Sequence, residues 1–152
     1  MTDSSTETAP TLNELIQTCK DGEHGYQSAA LLVDDLNLRN LFQSYAQQRA
    51  EFAAELQTEV RRLAANPVES GHVTAALQRT WDDIKAGVLG RDEGTIITEC
   101  ERGEDLALRQ YQHSLEAGLP GDLRSLVERQ YLQVKEAHEH MCSLEQAHSR
   151  HG

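Results

Sequence analysis

Positive charge is scarce in this chain: 14 Lys and Arg face 25 Asp and Glu, giving a formal charge of −11 at neutral pH over 152 residues. Surfaces that bind nucleic acid or anionic membranes need a basic stripe to displace counterions, so neither is an expected partner and small cations are the natural ones. Cysteine is sparse as well. Cys19, Cys100 and Cys142 are an odd number without a close pair, which argues against a disulfide framework or a zinc ribbon. Cys19 and Cys100 fall on apolar stripes and read as small buried hydrophobes. No apolar run approaches the roughly 20 residues that span a bilayer, and residues 1–10 have neither the basic start nor the apolar stretch of a secretory signal. The expectation is a cytoplasmic protein. A Gly-rich phosphate loop, a Ser-His-Asp order and a Cys-x-x-Cys pair are all missing, which removes support for nucleotide, acyl-transfer and thioredoxin-like functions. Aromatics make up only 5% of the chain and prolines number three, whereas Ala, Leu, Glu and Gln abound, so the composition favours helix.

The polar residues 1–10 read as a disordered tail, residues 11–148 as one domain and residues 149–152 as a frayed end. Thr11 with Glu14 three residues on makes a capping box for a first helix to about Leu36. Its stripe is Leu12, Leu15, Ile16, Cys19, Glu23, Tyr26, Ala30 and Val33, with Glu23 facing inward between Gly22 and Gly25. A weak stretch from Asp34 to Asn40 precedes a second helix from about Leu41 to Ala65, stopped by Asn66-Pro67 and carrying Phe42, Tyr45, Arg49, Phe52, Leu56, Val60 and Leu63. From Gly71 to Leu89 the spacing of Val73, Leu77, Trp81, Ile84 and Val88 predicts a shorter crossover helix, ending at Gly90. Asp92 or Thr95 can cap a third long helix that ends near Ala117. A fourth starts at Asp122 or Ser125 and runs to about Ala147.

Charges stand where only apolar side chains are expected. On the third helix Ile97, Cys100, Glu104, Leu108, Tyr111 and Leu115 share one stripe, with Glu104 near its centre and Glu101 on its flank. On the fourth, His138 flanks a stripe that contains Gln130. In antiparallel neighbours, residues equidistant from the loop lie at equal height. A turn centred between Leu119 and Pro120 sets Glu101 opposite His138 and Glu104 opposite Lys135; one centred near Arg39 sets Glu23 opposite Glu55, with Arg49 one to two turns away. Each helix thus brings charge to the bundle's middle, and buried carboxylates must find a cation, a proton, water or a metal. Two readings follow. Glu23, Arg49 and Glu104, with Tyr26, Tyr45 and Tyr111 as partners, form a buried network that fixes helix register, or Glu23, Glu55, Glu101, Glu104 and His138 hold one or two divalent ions.

The order of these motifs resembles a known family. Asp21-Gly-x-x-Gly-Tyr26, Arg49-x-x-Phe52 with Glu55-Leu56, and Glu101-Arg-Gly-Glu-Asp105 followed by Tyr111 look like the bacterial ferritin-like family of unknown function akin to the YciE and YciF stress proteins, over about residues 12–144. The resemblance implies an all-α, ferritin-like, up-down-down-up four-helix bundle with the short crossover helix between the second and third long helices. It also implies a stress association, a homo-oligomer of two or more chains and no assigned reaction. The wider ferritin-like class builds a di-iron site from one Glu on each of two helices and Glu-x-x-His on each of the others. Glu23 matches the first Glu and Glu101 or Glu104 the third-helix one. Ala54, three residues after Glu51, stands where His belongs, and Lys135 stands where Glu belongs before His138. The expected function is therefore an uncharacterised stress-associated bundle protein with a buried Glu, Arg and His layer and no demonstrable catalytic site. The alternative is an iron- or manganese-binding protein with oxidoreductase or metal-handling activity.

Overall fold

The computed structural model describes residues 4–69, 73–88 and 92–151, and among these it has five helices and no strand. They are α1 (Ser4–Leu32), α2 (Leu36–Arg62), α3 (Ala75–Lys85), α4 (Glu93–Glu116) and α5 (Gly121–His151). Gly71 and Leu89, the expected limits of the crossover helix, and its stop at Gly90 lie outside the described residues, as do 1–3 and Gly152.

Three boundaries differ from the sequence reading. Helix α1 begins at Ser4, so residues 4–10 are helical instead of a disordered tail, and the Thr11 capping box lies inside a helix. Pro10 forfeits one helical hydrogen bond, but Thr8 and Ala9 are buried against the rest of the fold, and that burial holds the turn. The second difference moves everything downstream of it. The α1–α2 connection is Val33 to Asp35, because Asp35 Oδ1 accepts from the amides of Asn37 (2.8 Å) and Leu38 (3.1 Å) and so starts α2 at Leu36. At the other end of the chain, α5 continues past His148 to His151. The N-caps of α3 and α4 are ordinary. Asp92 accepts from the Thr95 amide at 3.2 Å, its pKa is lowered by the Thr95 side chain and then by that amide, and Thr74 accepts from Leu77.

The core divides in two. One cluster holds Leu12, Leu15, Ile16, Phe52, Leu56, Val60, Tyr111 and Val127. The other holds Tyr26, Val33, Phe42, Trp81, Ile84, Ile96, Ile97 and Met141. The start of α1 thus shares an end of the bundle with the end of α2, the end of α4 and the start of α5. The direction is up-down-down-up, and the α3 connection carries the chain from one end back to the other. On each long helix a short gap separates the two apolar sets: Gly22 and Glu23 on α1, Arg49 on α2, Glu101 and Glu104 on α4, His138 on α5. That gap is a polar layer across the middle of the molecule.

Candidate functional site

Closing the apolar stripes of α2 and α4 brings Arg49 and Glu104 together in this layer, 2% and 1% exposed. Arg49 Nη2 donates to both carboxylate oxygens at 2.8 Å, and the Tyr26 hydroxyl donates to Glu104 Oε2. Arg49 Nε donates to Gln48 Oε1 at 3.2 Å, and the guanidinium carbon lies 5.7 Å from the centre of the Tyr26 ring. A Cβ at position 22 would come within 3.3 Å of Arg49 Nη1, so Gly22 gives the guanidinium its room. Burial works against the Arg49 charge, but the facing Glu104 and then Tyr26 outweigh it, and the proton is held more tightly than in water. The Tyr26 phenol is pushed well up, first by burial and then by the Glu104 charge, and so remains a donor.

A second polar chain runs from the core to the surface nearer the α1 start. Cys19 Sγ lies 3.2 Å from the Tyr111 hydroxyl, which donates to Gln130 Oε1 at 2.6 Å. Gln130 Nε2 in turn donates to Glu55 Oε1 at 2.9 Å, and Glu55 meets Arg129 at 3.0 Å. Burial pushes the Cys19 thiol up to about 11, against the lowering effects of the Tyr111 bond and the Arg49 charge.

On the α4–α5 seam, at the height of the polar layer, Glu101 and His138 do stand opposite one another. His138 Nε2 lies 3.2 Å from Glu101 Oε2 and 3.7 Å from Asp105 Oδ1. Cys142 Sγ completes the group at 3.8 Å from both Glu101 Oε2 and His138 Nε2. All three side chains are partly buried, and their ligand atoms lie within 4.8 Å of one another. The Cys142 thiol is pushed up by burial and then by Glu101. Sequence reasoning missed Cys142 and Asp105, although the signal was available: Glu101 and Asp105, and likewise His138 and Cys142, are one i, i+4 step apart on facing helices.

The other candidates disperse. Glu23 is half-buried at the layer's edge, 4.0 Å from Lys20 and 3.4 Å from Gln27, and does not meet Glu104. Nor does it stand opposite Glu55. The earlier α1–α2 turn brings α2 back sooner, so Glu55 lies toward the opposite end and belongs to the Gln130 chain. Tyr45 pairs with His140 at 3.1 Å instead of joining the buried network. The five carboxylate and histidine candidates therefore do not fit a shared di-metal centre. Glu104 has both oxygens engaged by a cation, Glu23 and Glu55 are elsewhere, and only Glu101 and His138 meet.

Residues 7–117 match the family model described as "Domain of unknown function (DUF2383)". The match takes in Tyr26, Arg49, Glu104 and Tyr111 and stops before α5. Among solved structures the chain is similar to a Dps1 mutant of Mycobacterium smegmatis, with 15% identity, a TM-score of 0.74, and coverage of 95% of this chain and 99% of that one. At that identity the likeness shows the fold, which is ferritin-like. No curated protein matches.

Proposed function

The chain belongs to the DUF2383 family, and on that premise we propose that it is a stress-associated cytoplasmic bundle protein, acting as a homo-oligomer without a catalytic centre. The observation that carries this reading is Arg49. Its guanidinium takes the central position between helices and saturates Glu104, so the one fully buried carboxylate among the described residues is neutralised from within. A site that supplies its own cation has no charge left to draw one in. Kinship with the YciE and YciF stress proteins rests on the motifs at Asp21 to Tyr26 and Glu101 to Asp105. Association is supported by Leu31 and Leu36, 84% and 67% exposed on either side of the α1–α2 turn. Tag-free protein loaded anaerobically with ferrous iron and then aerated should form ferric product no faster than buffer. Stoichiometric iron that disappears with Glu104→Ala would reject this reading.

A second reading has its own observation, the Glu101, His138 and Cys142 cluster. A tetrahedron with bonds of about 2.0–2.3 Å has edges of about 3.3–3.8 Å, and the three ligand atoms stand 3.2, 3.8 and 3.8 Å apart. A Cys-His-Glu donor set suits a borderline ion such as zinc or ferrous iron better than manganese. Cobalt(II) titration should give intense tetrahedral absorption bands from one ion per chain, lost in His138→Ala and kept in Glu104→Ala. Featureless spectra would leave the seam as a hydrogen-bonded cluster.

A further inference from the structure

Between α1, α3 and α4 lies a cavity of about 340 Å³ that reaches inward to Tyr26, Arg49 and Glu104. Its size is within the range of small-molecule sites, and it exists because the helices carry Gly22, Gly25 and Gly103 along its walls. Trp81, 4% exposed, forms another wall. A Cβ at Gly25 would meet the Trp81 Nε1 edge at 3.5 Å, so the indole N–H lies directly over that glycine. Trp81 Nε1 is buried without a hydrogen-bond partner among the described residues, and so is Gln110 Nε2 on the same cavity. Each is a donor only at that nitrogen, and a buried donor left without a partner is costly. The cavity therefore has two acceptors missing.

Charge narrows what could supply them. The lining includes three acidic residues (Asp21, Glu99 and Glu104) and two arginines (Arg49 and Arg102), and Arg49 is already neutralised by Glu104. Arg102 is engaged by Glu99 at its exposed edge. Among the described residues of the lining no positive charge is left over for an anion. An added cation would meet two N–H groups pointing the wrong way. We propose that this cavity binds a neutral, mostly apolar small molecule whose carbonyl-type oxygen accepts from Trp81 Nε1 and Gln110 Nε2. The apolar body of the ligand packs on Leu77, Cys100 and Ala107, and Gly25 leaves space beside the indole.

Trp81 is the only tryptophan, so its fluorescence reports on the cavity directly. Three probes of similar shape distinguish the terms: 2-acetylnaphthalene, which is neutral with a carbonyl; naphthalene, which has no acceptor; and 2-naphthoate, which is anionic. The ketone should quench Trp81 saturably with one site per chain and bind at least about tenfold more tightly than either of the others, the scale of one or two hydrogen bonds. Gln110→Leu, at a partly exposed position, should bring the ketone's affinity down toward that of naphthalene and leave naphthalene unchanged. Equal affinities for all three probes, tighter binding of the naphthoate, or no saturable quenching by the ketone would overturn the proposal. So would a crystal of ketone-soaked protein with ordered water only at both donors. The probe comparison needs no variant, so it stands even if Gln110→Leu does not fold.

Discussion

A guanidinium and a carboxylate taken out of water cost several kcal/mol each, and their attraction offsets that only while both are present. Arg49→Met should therefore cost more than about 3 kcal/mol by urea unfolding, since it leaves Glu104 buried with Tyr26 alone as donor. A loss below about 1 kcal/mol, the range of exposed pairs, would mean that water reaches Arg49. The double variant Arg49→Met with Glu104→Leu should recover most of the loss, because no charge is then stranded. The pH profile depends on different residues. Cys19 titrates near 9 in an unfolded chain and at about 11 in the fold, so across that window the folded form binds more protons. Its contribution is complete below pH 9 and is lost as the pH rises through 11, a change of at most about 3 kcal/mol. Cys100, Tyr26 and Tyr111 are shifted the same way by burial. Unfolding midpoints should hold level up to about pH 9 and fall beyond it, less steeply in Cys19→Ala. The pairing of Arg49 with Glu104 was legible because both interrupt apolar stripes. The Cys19-Tyr111-Gln130 chain was legible only in part: Tyr111 and Gln130 stood out as polar groups on apolar stripes, but Cys19 passes for an ordinary core residue and nothing in the spacing joined the three.

At the level of the helix, ends decide more than middles. Helix α2 closes with the Ala65 amide on Val60 O and the Ala64 amide on Arg61 O, the pair of hydrogen bonds that puts the first of these residues, Ala64, in the left-handed region. Ala64 has φ 58°, where α3 uses Gly87 (φ 83°) for the same closure. Ala64→Gly should raise stability by about 0.5–1 kcal/mol, measured as a shift in the urea midpoint at constant slope. A destabilised variant would show that contacts of the Ala64 methyl outweigh the strain. The α1–α2 turn shows why the sequence misled on register. Asp34, Asp35, Asn37 and Asn40 made the whole stretch resemble a loop, but one carboxylate, on Asp35, is enough to start a helix whose exposed side tolerates the rest. Placing that turn several residues late carried Glu23 onto the wrong partner. The α4–α5 turn has the unambiguous Gly118-Leu-Pro120-Gly121 marker, and the pairing drawn from it brought Glu101 to His138.

For the whole molecule, four long helices and a crossover could be read from periodicity alone, because each stripe buries against the others. How far the first helix extends could not be read, since Thr8 and Ala9 become buried only when the bundle is assembled. The residues that match the family stop at 117, but Val127, Val134, Ala137 and Met141 on α5 are fully buried. A chain cut after Ala117 should lose its cooperative thermal transition by circular dichroism, and a native-like transition in that fragment would mean that a second copy replaces α5. The division of the core by its polar layer also bears on how the protein comes apart. Each end of the bundle has its own apolar cluster, and the Arg49–Glu104 pair stays buried only while both clusters are closed. Either end can therefore open by itself and wet the pair from one side. In native-state hydrogen exchange the amides should fall into two subglobal classes, one for each end, that merge only at full unfolding. Those at Arg49 and Glu104 should be exposed with whichever end opens first.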